Sequence, residues 1–176
     1  MESNISKSFV LKKLVVLDRD GVVNVKPVPP SRYILEKSAI KFNSDVIAWI
    51  ARISKRLPVC VATNQQGVGK KLLSRKNLDE IHSRINLEIR CQGGEELHYF
   101  VCPHLESENC LCRKPKPGLL IAALDHFNVE AQDAIFVGDS ESDSRAAEVL
   151  QVDYLDVEEL RWRIKENPNF PFNFEK

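Results

Sequence analysis

Three thiols and one imidazole fall within eleven residues of this chain, at Cys102, His104, Cys110 and Cys112, and two cations, Arg113 and Lys114, follow at once. Cysteine sulfur and histidine nitrogen are the ligands a tetrahedral zinc ion prefers, and three Cys with one His close such a site with no position left for catalysis. The expected zinc is therefore structural, and what it shapes is the approach to two cations that suit a phosphate. A second set of groups is scattered along the chain: Asp18 and Asp20, Thr63 and Asn64, Asp139 and Asp143. Two or three carboxylates around a hard divalent cation are the usual way to hold Mg²⁺ beside a phosphate. The metal and a nearby lysine cancel the charge that would otherwise repel a carboxylate nucleophile. One aspartate can then attack phosphorus to form an aspartyl-phosphate, while another protonates the leaving oxygen and later activates water. The Thr63 hydroxyl suits the phosphoryl oxygens, and Gly21 permits a sharp turn beside the first aspartate pair.

The elements that would position these groups alternate between strand and helix. Apolar, β-branched runs at Leu14 to Leu17, Pro58 to Ala62, Leu97 to Val101, Ala134 to Val137 and Val152 to Leu155 predict five strands, the first two buried. Ser44 is placed to cap a helix through about Lys55, with Val46, Ile47, Ile50 and Ile53 on one face. A helix from Ser74 through Cys91 carries Leu78, Ile81, Ile85 and Ile89 at helical spacing. Pro117 suits the first turn of a helix to Phe127, and further helices are expected over Ser142 to Leu150 and Val157 to Glu166. Residues 25 to 41 hold three prolines and no clean period, and read as an irregular loop. This alternation implies a parallel sheet with helices on both faces, a Rossmann-like three-layer α/β sandwich. In such sheets ligands bind beyond the C-terminal strand ends. Asp18 and Asp20, Thr63 and Asn64, the cysteine loop with Arg113 and Lys114, and Asp139 and Asp143 each follow a predicted strand, so the topology gathers them at one edge.

Composition excludes several other classes. A chain of 176 residues is about one domain, here 1–176 with a zinc loop over 102–112 and a tail over 167–176. Twenty-five basic residues balance 25 acidic ones, which argues against a nucleic-acid or membrane-surface binder. The apolar run at Leu14 to Leu17 is too short for the core of a signal peptide, and no stretch approaches a membrane span. A cytoplasmic, monomeric protein acting on a small phosphorylated molecule is expected. In that compartment thiols stay reduced, so clustered cysteines read as metal ligands rather than disulfides. Cys60 and Cys91 read as packing residues, His82, His98 and His126 as packing or surface residues, and the aromatics of the tail as docked on the body.

The segments Asp18-Arg-Asp20-Gly-Val-Val-Asn24, Thr63-Asn-Gln-Gln-Gly67, Cys112-Arg113-Lys114-Pro-Lys-Pro-Gly and Gly138-Asp139-Ser-Glu-Ser-Asp143 resemble the four motifs of the haloacid dehalogenase superfamily of phosphohydrolases. More narrowly, the chain resembles the capless, zinc-loop branch whose members act on heptose 1,7-bisphosphate and histidinol phosphate. The resemblance covers about residues 14 to 150. It implies Asp18 as the nucleophile and Asp20 as the general acid and base. It implies Mg²⁺ held by Asp18, the backbone carbonyl of Asp20, and Asp139. Thr63 and Lys114 would stabilise the transferring phosphoryl group, Asn64, Gln65, Gln66 and Arg113 would bind substrate, and Cys102, His104, Cys110 and Cys112 would hold Zn²⁺. Members of the branch often carry a lysine after the fourth-motif Gly-Asp, where this chain has Ser140. The implied activity is phosphomonoester hydrolysis, first of a heptose bisphosphate, with histidinol phosphate or another small sugar phosphate as the alternative. A zinc-stabilised phosphate-binding module without turnover is the non-enzymatic alternative, and the paired Asp18 and Asp20 argue against it, because binding alone needs no nucleophile.

Overall fold

The computed structural model describes residues 12–168 and residue 170. Five strands, β1 (Leu14–Leu17), β2 (Val59–Asn64), β3 (His98–Cys102), β4 (Ala134–Gly138) and β5 (Asp153–Asp156), alternate with helices α1 (Ser44–Ile53), α2 (Gln66–Gly69), α3 (Arg75–Cys91), α4 (Gly118–Phe127), α5 (Glu141–Leu150) and α6 (Val157–Glu166). The strands form one sheet in the order β3-β2-β1-β4-β5, all parallel.

Side chains alternate across a strand, and β1 shows both faces in use. Val15 and Leu17 enter a layer with Ile47, Ile50 and Ile53 of α1, Leu78, Ile81, Ile85 and Ile89 of α3, and Leu160 and Ile164 of α6. Leu14 and Val16 enter the opposite layer, with Leu119, Leu120 and Ala123 of α4 and Ala146 and Ala147 of α5. This is the expected three-layer sandwich. From β1 the chain builds outward through β2 to β3, then returns to the other side of β1 for β4 and β5. The order therefore reverses between β1 and β4, where open parallel sheets bind their ligands. Asp18 leaves one of these strands and Asp139 the other.

Several boundaries differ from the sequence reading. Strand β2 runs on to Asn64, because Thr63 and Asn64 pair with Val101 and Cys102 of β3. Ser44 is the first residue of α1 and Asn43 takes the cap position. The Asn43 amide donates instead to the carbonyls of Gly21 and Val22, at 3.1 and 2.8 Å, tying α1 to the turn after β1. Ser74 does cap α3, its Oγ accepting from the Asn77 amide at 3.0 Å. The short helix α2 carries no apolar period and was not anticipated. Pro117 stands at the cap position of α4 rather than within its first turn, and α5 begins at Glu141. The loop over 25–41 contains one short 3-10 turn, Lys37–Ala39.

Cys60 is buried, as expected, whereas Cys91 is exposed at the end of α3. His98 and His126 are exposed and stack with ring centroids 4.2 Å apart, while His82 is buried. Of the tail, the Phe170 carbonyl accepts from Trp49 Nε1, and its ring lies 4.9 Å from the Arg163 guanidinium. The other tail aromatics lie outside the described residues, as do the first eleven residues. Among the described residues, no helix is long and apolar enough to cross a membrane.

Ile85 belongs to the core layer that α1, α3 and α6 form on one side of the sheet and has no exposure, so its truncation leaves a cavity in that layer. Ile85→Ala should lower unfolding free energy by about 3 kcal/mol, whereas Trp162→Ala, at a residue 61% exposed, should change it by less than about 0.5 kcal/mol. Urea unfolding midpoints of the two variants check this.

Candidate active site

Asp18 follows β1 directly, its backbone N–H donating to the Val137 carbonyl at 2.8 Å, so the β1–β4 ladder extends one residue and fixes where the carboxylate projects. Across the seam, α5 starts close under the end of β4. A Cβ on Gly138 would lie 2.4 Å from Asp143 Cβ, so glycine permits that approach. Asp143 is thereby brought, with no exposure, beneath the strand ends. Gly21, at φ +100°, turns the chain against Asp139, whose Oδ2 would be 2.1 Å from a Cβ there. Asp18, Asp139 and Asp143 consequently present carboxylate oxygens that all lie within 4.8 Å of one another.

Lys114 holds this cluster together. Its Nζ donates to Asp18 Oδ1 at 2.8 Å and to the Ala62 carbonyl at 2.8 Å, and lies 2.6 Å from Asp143 Oδ1. It is 4% exposed. Burial alone would disfavour its charge, but the Asp18 and Asp143 carboxylates outweigh that and raise its proton affinity. Burial pushes the Asp18 carboxyl up to about 6, with Lys114 opposing and Asp143 adding to the rise. Three carboxylates converging with one buried lysine leave an excess of negative charge, and hard oxygen ligands in this number suit Mg²⁺. A second lysine, Lys26, already offsets part of that excess at Asp139 Oδ2, 2.7 Å away.

Asp20 belongs to a different set of contacts. Its carboxylate accepts from Arg19 Nη2 at 2.9 and 2.8 Å, from Asn24 Nδ2 at 2.9 Å and from Gln65 Nε2 at 2.9 Å. Burial would raise its pKa, but the Arg19 guanidinium and these hydrogen bonds hold it below the ordinary carboxylate range. The Asp20 side chain is thus aimed beside the three-carboxylate cluster and is no member of it, whereas Asp143, which the sequence reading left out of the metal set, is one. The signal was present in the short spacing of Asp139 and Asp143, which puts Asp139 just past β4 and Asp143 in the first turn of α5.

The motif after β2 divides its work. Thr63 is buried, and its Oγ1 accepts from Gln65 Nε2 at 3.0 Å. That contact and the bond to Asp20 occupy Gln65, which was expected on the substrate. Asn64 forms a two-way clasp on the Lys114 backbone, donating to its carbonyl and accepting from its amide, both at 3.1 Å. Gln66 opens α2 and faces a cavity of about 770 Å³ that includes Arg32, Tyr33 and Lys70. Arg113 lines a different cavity of about 370 Å³, with Asn64, Lys114, Lys116 and Ser142. Its Nη1 is buried without a hydrogen-bond partner among the described residues. Ser140, in place of a lysine, donates to Asp143 Oδ2 at 2.6 Å and so braces the cluster.

The thiol–imidazole cluster forms the far wall. Cys102 Sγ lies 3.6 Å from both His104 Nδ1 and Cys110 Sγ, Cys112 Sγ lies 3.6 Å from Cys110 Sγ, and His104 Nδ1 lies 3.2 Å from Cys112 Sγ. A tetrahedron with Zn–S bonds of about 2.3 Å has edges of about 3.8 Å, so these donors fit zinc. Cys102 ends β3, and Cys112 is followed at once by Arg113 and Lys114, so the cluster sets the path that carries Lys114 back beneath β2.

Residues 97–157 match the haloacid dehalogenase-like hydrolase family. D-glycero-beta-D-manno-heptose-1,7-bisphosphate 7-phosphatase of Neisseria meningitidis is 36% identical over 138 residues, 78% of this chain and 73% of that protein. The histidine biosynthesis bifunctional protein HisB of Campylobacter jejuni is 32% identical over 158 residues, 89% of this chain and 44% of that protein. Among solved structures, D,D-heptose 1.7-bisphosphate phosphatase from B. bronchiseptica, complexed with magnesium and phosphate, superposes with a TM-score of 0.74 at 31% identity, covering 82% of this chain and 78% of that one.

The raised Asp18 carboxyl has a consequence for the metal-free protein. Between the ordinary value of 3.8 and about 6 the folded chain keeps a proton that the unfolded chain releases. Stability contributed by this group is present below that window and lost as pH rises through it. Relative to Asp18→Asn, the wild type should therefore become less stable as pH is raised from 4 to 7. Denaturant unfolding of both proteins across this range checks it, and a pH-independent difference would contradict it.

Proposed function

Because the chain belongs to the haloacid dehalogenase-like hydrolases, we propose that it is a magnesium-dependent phosphomonoesterase working through an aspartyl-phosphate on Asp18, and that it releases the C7 phosphate of a heptose 1,7-bisphosphate. The observation that carries this reading is the contact of buried Lys114 with Asp18, beside Asp139 and Asp143. A carboxylate attacks a phosphoryl dianion only where fixed positive charge cancels their repulsion, and Lys114 supplies one such charge at Asp18 Oδ1. When bound by Asp18, Asp139 and Asp143, with the Asp20 carbonyl, Mg²⁺ supplies the rest.

Asp18 then attacks phosphorus, the bond from phosphorus to the sugar oxygen breaks, and that oxygen takes a proton from Asp20. In the free protein Asp20 is held ionised by Arg19, Asn24 and Gln65. An incoming phosphoryl dianion beside it offsets the Arg19 charge and raises its proton affinity. In the second step the ionised Asp20 takes a proton from the water that attacks the aspartyl-phosphate, the bond from phosphorus to Asp18 breaks, and inorganic phosphate leaves with the Asp18 carboxylate restored. Thr63 and Lys114 steady the phosphoryl oxygens, and Arg113, from its cavity, binds the part of the substrate that does not react.

The similarity to heptose bisphosphate phosphatases over three quarters of their length supports the substrate. Histidinol phosphate is the second reading, favoured by the similarity to the bifunctional histidine protein across most of this chain, which spans less than half of that protein. We place the activity in the cytoplasm, in a monomer, with Cys102, His104, Cys110 and Cys112 on a structural Zn²⁺.

Hydrolysis of an aryl phosphate tests the chemistry. Release should require Mg²⁺, Asp18→Asn should lower kcat more than about 1000-fold, and Lys114→Met about 100-fold or more. Metal-independent release, or an active Asp18→Asn, would sink the mechanism. For the substrate, kcat/KM for heptose 1,7-bisphosphate should exceed that for histidinol phosphate by at least about tenfold, a difference of ~1.4 kcal/mol in transition-state binding. The reverse ranking selects the second reading. Elemental analysis of protein purified without chelator should find one zinc per chain, and Cys110→Ser should lower Tm while leaving single-turnover phosphoryl transfer measurable.

A further inference from the structure

Lys116 lies two residues beyond Lys114, and its side chain turns back onto the loop of the thiol–imidazole cluster. Its Nζ donates to the carbonyls of Asn109 and Cys110, at 2.8 and 2.9 Å, and to Asn109 Oδ1 at 2.5 Å. An ammonium has three N–H donors, and here three oxygens of one dipeptide receive them. A surface lysine ordinarily leaves its charge in water, and immobilising so flexible a side chain costs rotamer entropy. Lys116 is half-buried instead, and it holds the loop as a bound cation would.

The chain around it presents those oxygens. Asn109 ends the 3-10 turn Glu106–Glu108 in left-handed backbone, at φ +47°, a conformation asparagine adopts more readily than most residues. In that conformation its carbonyl and its side-chain oxygen meet the same ammonium. At the other end, the Lys116 backbone N–H donates to the Arg113 carbonyl at 2.9 Å. The segment from Asn109 to Lys116 is thereby closed on itself, and it carries two of the four metal-ligating side chains, Cys110 and Cys112, together with Arg113 and Lys114. Asn109, Cys110, Arg113 and Lys116 also line one cavity, so the closure fixes part of its wall.

We propose that Lys116 is a positioning residue for the zinc loop: its ammonium clamps Asn109 and Cys110, slows the loss of Zn²⁺ from Cys102, His104, Cys110 and Cys112, and so keeps Arg113 and Lys114 on their path. The proposal rests on the reading of those four residues as a zinc site. A protonated lysine has no lone pair to offer a metal, so Lys116 acts through the backbone that carries Cys110.

Zinc release from the protein as purified tests this, followed as first-order transfer of Zn²⁺ to excess 4-(2-pyridylazo)resorcinol. Lys116→Met removes the donors, and release should be about tenfold faster than from wild type, the equivalent of one charge-assisted hydrogen bond. Asn109→Gly keeps left-handed backbone accessible but deletes Oδ1, and should speed release about threefold. Added to Lys116→Met it should contribute less than about twofold, because the deleted acceptor has already lost its donor. Ile85→Ala separates a local clamp from general destabilisation. Ile85 packs in the layer on the opposite face of the sheet from Cys102, so its truncation should leave release within about twofold of wild type. A wild-type rate in either Lys116→Met or Asn109→Gly, full additivity in the double variant, or equal acceleration in Ile85→Ala would overturn the proposal. Wild-type protein that yields no zinc would overturn the zinc site and the clamp together, whereas zinc-loaded variants with unchanged rates would overturn the clamp alone.

Discussion

The contact of Lys114 with Asp18 and Asp143 is the constraint around which the rest of this structure is arranged. Two buried carboxylates 2.8 and 2.6 Å from one buried ammonium make a group that folding must complete as a whole. Removing the lysine would strand both acids, at a cost of about 3–5 kcal/mol. Each partner arrives from a different part of the sheet. Asp18 comes from the end of β1, Asp143 from the first turn of α5, and the Ala62 carbonyl from β2. Lys114 arrives from beyond β3 by way of the thiol–imidazole cluster. A lysine on an ordinary surface loop would keep its charge in water. This one is delivered inward because Asn64 holds its backbone on both sides and Cys112 anchors the loop two residues before it.

The surrounding charges follow from that arrangement. Asp143 is neutralised from below by Lys114 and braced by Ser140, so the opening faces Asp18 and Asp139. Asp20 is kept apart by its own partners, Arg19, Asn24 and Gln65. Two aspartates two residues apart thereby acquire opposite proton affinities. Burial raises one carboxyl to about 6, and the Arg19 guanidinium with the Asn24 and Gln65 amides holds the other low. In the proposed mechanism the nucleophile and the proton-transfer group are separated by environment rather than by residue type.

Much of this was legible in the sequence because strand–helix alternation and the ends of apolar runs are local signals. The runs around Leu14, Val59 and Ala134 announce a parallel sheet, and the polar residues just past them must then share an edge. The cysteine spacing is equally local. Other features depend on contacts that sequence spacing does not encode. Gln65 and Asn64 look like substrate ligands when read in line, yet one serves Asp20 and the other serves the Lys114 backbone, each across 45 residues or more. Ser44 looks like the cap of α1, yet Asn43 takes that position and its side chain spans 21 and 22 residues to hold the Gly21 turn. His82 reads as packing because its periodicity is that of the α3 core face, and it is buried there against Tyr99. Helix α2 has four residues and no apolar period to announce it.

The account turns on a covalent bond between phosphorus and Asp18. Acid quenching during turnover of ³²P-labelled phosphomonoester, followed by peptide mapping, tests it most directly. The account predicts label on the peptide carrying Asp18, lost in Asp18→Asn and released by hydroxylamine as an acyl phosphate should be. Single-turnover phosphate release with no labelled protein at any quench time, or label on a different residue, would contradict it.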